Sequence, residues 1–492
     1  MYVQKKRYVK RRFSSRGSVR PSVPRLAHRI TVRLLTIGAI VAVLASMIGL
    51  FSIGAMFGAG LGANKFVDPE LYSSLSSGSA IAYLSYVGKL DLNQVQVLKT
   101  WVFGDLRISK VVIPNVSVLD RLKKEEGVIS IYGEKQFRHA PLHFVSLENY
   151  QGFSEKDVDN EFHKATGTWA GEGVTVAIID TGIDYLHPDF FDETNQSIIK
   201  VLVTMFYVWE NGSFVTWDLE ENPDIDQLYA FEKQIWTDYG SPPFLDLNGH
   251  GTHVAGIIAG RGKASGGKFL GIAPKAKLVI VKAFDENGLA SIDTCLNALN
   301  WVYNYSSKYD ISVLNLSWGA SFSSEGNDPL SLAVDRLALD RKIIVLAAAG
   351  NEGNIPTTIL VPAVARRAFA VGAWDAYLDK LAPFSSLGTT QDLRMKPDLA
   401  AAGVLIVSCK SRYADFPSEY VVDGDYVALS GTSMATAVAS GIAADFVEYY
   451  RYWNHEDPSP SDFEKWIEEN SVHFFYTKDF VTGWGIPFAP HS

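Results

Sequence analysis

Residues 430–441 read SGTSMATAVASG, a run of small residues carrying five hydroxyls. A hydroxyl attacks a carbonyl at neutral pH only when a base lies within hydrogen-bond reach and a third group orients that base. The chain offers such groups at three other places: Asp180 at the end of VTVAIID, His250 opening HGTHVAG, and Asn351 just after KIIVLAAAG. Acid, imidazole, serine and side-chain amide are the parts of an acyl transfer. His250 would deprotonate Ser433, Asp180 would fix the imidazole tautomer, and Asn351 would stabilise the tetrahedral oxyanion. Taken singly, each residue also fits a plainer role: Asp180 as a turn cap, Asn351 in a left-handed turn, His250 as a packed histidine. Their joint occurrence is what points to chemistry. The Asp-Thr-Gly at 180–182 also suits an aspartic protease, but that mechanism needs a second carboxylate to share a proton, and no second such element occurs. Gly171-Glu172-Gly173 precedes its strand instead of following it, so it is no dinucleotide fingerprint.

These residues need a frame. From about residue 160, apolar runs (VTVAIID, KLVIVKAF, ISVLNLSW, KIIVLAAAG, RAFAVGAW) alternate with helical segments such as SIDTCLNALNWVYNYSS and PLSLAVDRLALD. Near-continuous apolar strands joined by helical crossovers predict an α/β domain with a mostly parallel sheet flanked by helices. Ligand and catalytic residues in such sheets gather at the carboxyl ends of the strands. Asp180 and Asn351 stand at such ends, while His250 and Ser433 open helices.

AIIDTGID, NGHGTHVAG, NLSWG, AAAGNEG and SGTSMATAVASG together resemble the signature blocks of the subtilisin-like serine proteases, from about residue 165 to the GWG at 483–485. The resemblance implies a catalytic triad of Asp180, His250 and Ser433 and an oxyanion donor at Asn351. It implies a structural role for His253 and a substrate-pairing edge at Ser317, Trp318 and Gly319, which would bind the peptide as an added strand. It also implies a pocket walled by Ala348, Ala349 and Gly350, with Leu360 on its floor and Glu352 at its rim. No cofactor is implied for catalysis. Structural calcium is a further expectation, with Asp224 and Asp226 as candidate ligands. The chain departs from the family at Ala437-Val438, where the usual pattern has Pro-His. It also carries an acidic, aromatic insertion at about 200–245, which reads as a solvated surface element, with a lid as the competing reading.

The rest of the chain divides by composition. Its 492 residues hold 47% apolar residues, enough for more than one core. Residues 1–33 carry eleven Lys/Arg and no acid, leaving 34 basic against 54 acidic groups in the remainder. Residues 34–63 follow without a charge, long enough for a transmembrane signal-anchor. The positive-inside rule then places the basic tail in the cytoplasm and the rest outside the cell. That reading accounts for the tail without nucleic acid. A cleaved signal peptide is the competitor, though its apolar stretch is usually about 7–15 residues.

Residues 64–134 predict a small α+β, ferredoxin-like domain: strands at SAIAYLSYV, LRISKVVIPNV and VISIYGE, and helices at DLNQVQVLKTW and SVLDRLKKEEG. In the light of the resemblance this is the propeptide, an intramolecular inhibitor, and the linker at 135–155 holds the self-cleavage point. The catalytic domain is then 156–492. Export is compatible with Asn-x-Ser triplets at Asn115, Asn195, Asn211 and Asn304, whereas Asn315 sits in an apolar strand pattern. Cys295 and Cys409 fit either one disulfide or two buried thiols. The resulting expectation is a self-processed, membrane-anchored serine endopeptidase acting on polypeptides. The alternative is a non-catalytic surface protein that keeps the fold, against which the intact set of four chemical residues argues.

Overall fold

The computed structural model describes residues 65–139, 169–475, 477–487 and 490. The basic tail, the apolar run 34–63 and most of the linker lie outside the described residues. Among the described residues no helix is long and apolar enough to cross a membrane.

The amino-terminal unit contains β1 (Phe66–Val67), α1 (Pro69–Ser76), β2 (Ala80–Val87), β3 (Gln96–Phe103), β4 (Leu106–Ile113), α2 (Val116–Leu122) and β5 (Val128–Gly133). Its strand order is β1-β5-β2-β4-β3, with β2, β3, β4 and β5 paired antiparallel. From β5 to β3 this is the ferredoxin-like order, but the helix expected at 91–101 is absent. Most of that stretch is β3, because Trp101 and Phe103 bury alternate positions and Gly104 turns the chain directly into β4. Asp91 caps a turn, accepting from the Asn93 N–H at 3.0 Å. The second helix of the layer is instead α1, which packs Leu71 and Leu75 beside Leu119 and Leu122 of α2.

The body is built on β7 (Thr175–Asp180), β8 (Ile199–Val208), β9 (Phe214–Asp218), β10 (Lys277–Lys282), β12 (Ile311–Leu316), β14 (Ile344–Ala348), β15 (Phe369–Asp375), β16 (Lys380–Leu381) and β17 (Leu399–Ala402). Between them in sequence lie β11 (Leu289–Ser291) and β13 (Trp318–Gly319), which belong to a separate small sheet. The main sheet runs β16-β15-β14-β12-β7-β10-β8-β9, with β17 also beside β15. Only β9 and β16 are antiparallel to their neighbours. Every residue of β7 is buried, as a strand covered on both faces requires.

Helices α3 (Ile225–Tyr239), α4 (His250–Ala259), α5 (Ile292–Tyr305), α6 (Pro329–Asp340), α7 (Thr432–Asn454) and α8 (Pro460–Asn470) cover it. One core holds α4, α7 and α8, the other α5 and α6. Cys295 and Cys409 are both free and buried, one in each core, so they form no disulfide.

Two sequence expectations change here. The insertion at 200–245 is not merely a solvated surface. Its first residues form β8, an inner strand of the main sheet, and α3 buries Leu228 and Glu232. The linker, for its part, begins with a strand, β6 (Gln136–His139), which pairs antiparallel with both β11 and β13. Its neighbours supply the pairing, so no periodicity of its own announced it.

Candidate active site

Asp180 ends β7 with its carboxylate 1% exposed. Its Oδ1 accepts from Thr181 N at 2.8 Å and lies 2.8 Å from His250 Nδ1. The imidazole opens α4 and is fully buried. A side chain at Gly251 would place a Cβ 2.3 Å from the Gly182 carbonyl, so only glycine lets α4 abut the turn after Asp180.

The residue that fixes this first turn was not picked out from the sequence. Asp246 accepts five hydrogen bonds, from Thr181 Oγ1, the N–H groups of Asn248, Gly249 and Thr252, and Thr252 Oγ1, at 2.7–3.1 Å. The signal was available: an acid four residues ahead of a helix start is well placed to satisfy that helix's free N–H groups. His253, one turn along, points away, and its Nε2 lies 3.0 Å from the carbonyls of Ile406 in β18 (Ile406–Cys409) and Val427 in β19 (Tyr426–Leu429).

Ser433 is the second residue of α7, where backbone N–H groups have no helical partner. Its Oγ donates to the Ser317 carbonyl at 2.8 Å, and Ser317 Oγ donates back to the Ser433 carbonyl at 3.0 Å. Asn315, buried in β12, supports this pair by donating to Ser317 Oγ at 2.9 Å, so no glycan fits there. Asn351 is held by its carbonyl, which accepts from both Thr432 N and Thr432 Oγ1 at 2.9 Å. Its Nδ2 is thereby turned to the α7 N-terminus, 3.3 Å from where a Cβ on Gly431 would stand.

Ala348 closes β14, and Ala349 leads from it to Gly350 at φ 120°. Leu360 lies against both Gly319 and Gly350: Cβ atoms added there would fall 2.8 and 2.6 Å from Leu360 atoms. Trp318 is buried against Phe284 and against Phe137 of β6. Asp224 accepts from Gln227 N as the N-cap of α3. Among the described residues the only three-residue set of metal-binding atoms is His187, Asp189 and Cys409. These atoms already bond one another and nearby backbone or side-chain groups, with Asp189 accepting from Gly262 N, Ala264 N and Tyr426 OH.

A mostly parallel sheet with a carboxylate–imidazole pair at one strand end, and a serine in the first turn of the helix α7, defines an α/β protein. Comparison with known proteins gives the family. The model of the subtilase family, Peptidase S8, matches residues 171–485, and the chain belongs to that family. It is 33% identical over 304 residues to the serine protease AprX of Bacillus subtilis strain 168, covering 56% of this chain and 57% of that protein. It is 32% identical over 289 residues to subtilisin E of the same strain, covering 58% of each. The chain thus spans little more than half the length of these curated relatives. Among solved structures, fervidolysin from Fervidobacterium pennivorans shares the fold with a TM-score of 0.57 at 20% identity, covering 83% of this chain and 60% of that one.

Proposed function

We propose that this chain is a serine endopeptidase made as a self-inhibited, self-processed precursor. The observation that carries the reading is β6. It lies between the two strands that flank the cleft, with Trp318 opposite His139 and Gly319 opposite Arg138, and its direction leads toward Ser317 and Ser433. A polypeptide strand in that position is how such an edge would receive a substrate. The bond cut in maturation is inferred to lie shortly after His139, within 140–150.

In the proposed reaction Ser433 Oγ leaves the Ser317 carbonyl and gives its proton to His250 Nε2 as it attacks the scissile carbonyl. Asp180, fixed on Nδ1, holds the tautomer and stabilises the imidazolium. Charge on the carbonyl oxygen is met by Asn351 Nδ2 and by the free backbone N–H at the start of α7. The imidazolium then protonates the leaving amine, and water completes hydrolysis of the acyl-enzyme by the same route. Leu360 between Gly319 and Gly350 makes the pocket shallow, suiting small or medium apolar side chains.

The amino-terminal unit acts as the inhibitor. Its sheet presents Tyr83, Trp101 and Phe103 to α5, and polar contacts surround them. Tyr83 OH and Lys110 Nζ bind Asp293, Trp101 Nε1 donates to Asn297 at 2.8 Å, and Tyr132 OH donates to Asn327 at 2.7 Å. We further infer that residues 34–63 anchor the precursor, with the catalytic body outside the cell. Self-cleavage then leaves these non-covalent contacts as the link to the anchor. Labelling with a phosphonofluoridate tests the enzyme reading: stoichiometric modification at Ser433 is expected, and no modification of the processed protein refutes it. A mass spectrum of that protein starting before residue 135 would refute self-processing.

A further inference from the structure

We propose that Glu232, in the insertion helix α3, and Lys282, at the end of β10, are positioning residues that hold the His250 loop through the backbone of residues 242–245. The inference rests on the protease reading above and extends it to a part of the chain far from Ser433 in sequence.

Glu232 lies one helical turn beyond Leu228 on the buried face of α3 and is 0% exposed. An ionisable side chain at a core position persists only where something binds it. Its Oε1 accepts from the N–H groups of Phe244 and Leu245, both at 2.6 Å. The carbonyls of the same stretch face the opposite charge: Lys282 Nζ donates to Leu245 O at 2.6 Å and to Pro242 O at 3.2 Å. Lys282 is likewise buried, and its hydrogen bonds among the described residues go to backbone carbonyls, with Asp246 and Glu232 acting on its charge from farther off. The carboxylate and the ammonium therefore meet through peptide groups instead of through each other. Glu232 holds the peptide groups 243–244 and 244–245 by their N–H ends, and Lys282 holds the flanking groups 242–243 and 245–246 by their carbonyls.

The gripped segment stands between the two halves of the acid–base pair. Phe244 O accepts from Ile183 N at 3.1 Å, tying it to the turn after Asp180, and Lys282 itself is in register with Asp180 across β10 and β7. The next residue is Asp246, which fixes the first turn of α4 and so the backbone of His250. A continuous path thus runs from α3 through residues 244 and 245 to Asp246 and the imidazole. Burial pushes the Glu232 carboxyl upward and the Lys282 ammonium downward, consistent with both having left water to make these contacts.

A structural staple alone would lower stability and leave each folded molecule as active as before. Positioning predicts a loss per active site, since a displacement of about 1 Å in a reacting group costs up to about 10²-fold. The test uses processed protein made from the full chain, with active sites counted by phosphonofluoridate titration. Glu232→Leu, which fills the space but accepts nothing, and Lys282→Met should each lower kcat per titrated site about ten- to fiftyfold, with KM within twofold. The rate of Ser433 labelling, which also needs His250, should fall by the same factor. Glu232→Gln keeps an acceptor oxygen and should stay within threefold of wild type. Unchanged kcat per site in Glu232→Leu and Lys282→Met, with only a lower Tm, overturns the proposal. If Glu232→Leu does not fold, Glu232→Asp shortens the arm by one methylene, and wild-type kcat per site in that variant overturns it equally. Should the wild-type protein itself resist labelling, the protease reading falls, and the coupling is read from the His250 imidazole NMR signals: a shift in Glu232→Leu or Glu232→Asp supports it, and identical signals in wild type and variant overturn it.

Discussion

The sheet of the body and the sheet of the amino-terminal unit both bury two faces, yet they do so under different tolerances. In the body, β7 is covered on both sides by its own domain, and its last residue, Asp180, is held within 2.8 Å of an imidazole by a chain of buried hydrogen bonds. In the amino-terminal unit one face packs on α1 and α2, while the other meets α5 and α6 of the body through Tyr83, Trp101 and Phe103, with charged and amide pairs at the rim. The first arrangement is sensitive to a displacement of about 1 Å. The second needs shape and charge to match, and many sequences satisfy that. Motif density follows this difference: long recognisable runs surround Asp180, His250 and Ser433, and none marks residues 66–133.

The comparison breaks most sharply at Ser433, the proposed nucleophile. If the body's precision serves catalysis, Ser433→Ala should remove peptide hydrolysis by several orders of magnitude and leave the precursor uncut at 140–150. Both are read from kinetics and a gel of the full chain. Normal cutting of this variant in a protease-free host would detach maturation from the body's own chemistry. Next in size is Asn351→Ala. Its Nδ2 would bind charge that exists only in the transition state, so kcat should fall about 10²–10³-fold with little change in KM. A predominantly KM effect would make the Thr432 contact its main role.

A smaller effect is expected where the two regions touch. Asp293 receives Tyr83 OH and Lys110 Nζ, and without its carboxylate the buried Tyr83 and the partly buried Lys110 both lose that acceptor. Asp293→Ala should therefore loosen the inhibitor about tenfold, a size typical of one interfacial charge contact, and shorten the interval between cleavage and full activity. An unchanged interval would assign the hold to the apolar contacts alone. The specificity change in Leu360→Gly is of the order of tenfold, the low end of the about 1–3 kcal/mol by which a methylene of pocket volume discriminates. A peptide library should show the preference moving toward larger side chains, and a strong Phe or Tyr preference in the unaltered protein would contradict the shallow pocket.

What could be read in advance follows the same division. The strand end at Asp180 and the helix start at His250 were legible because apolar runs stop and glycines begin beside them, and the bounds read at Asn351 and Ser433 fall close to those observed, Ala348 and Thr432. Residues 91–101 misled because Asp91 and Gln94 have the spacing of a capping box, whereas the alternation that ends in Trp101 and Phe103 decides the matter through burial against α5. β6 was illegible in principle, since its hydrogen bonds come from β11 and β13, more than 140 residues away. Asp246 carries one sequence signal, its place four residues ahead of a helix start, whereas Glu232 looks like any surface acid. Only the fold reveals that each sits against a row of backbone N–H groups.

The smallest effect concerns a place where the body breaks its own rule. Asp246 accepts five hydrogen bonds, but Asp445, equally buried on α7, has no donor on either oxygen among the described residues. Burial, with a lesser contribution from Glu448, pushes its carboxyl well above the ordinary range. Below about pH 4 folded and unfolded chains both carry the proton, and this group costs nothing extra. As pH rises past that point the unfolded chain ionises while the folded one does not, so stability falls until the folded carboxyl also titrates, and is level above that. Asn mimics the protonated acid and does not titrate. In a Ser433→Ala background, which prevents autolysis, Asp445→Asn should match its parent in Tm near pH 4 and exceed it near pH 7. An equal difference at both values would mean that Asp445 is ionised in the fold, and that the helix bearing the nucleophile holds its charges as tightly as the site it serves.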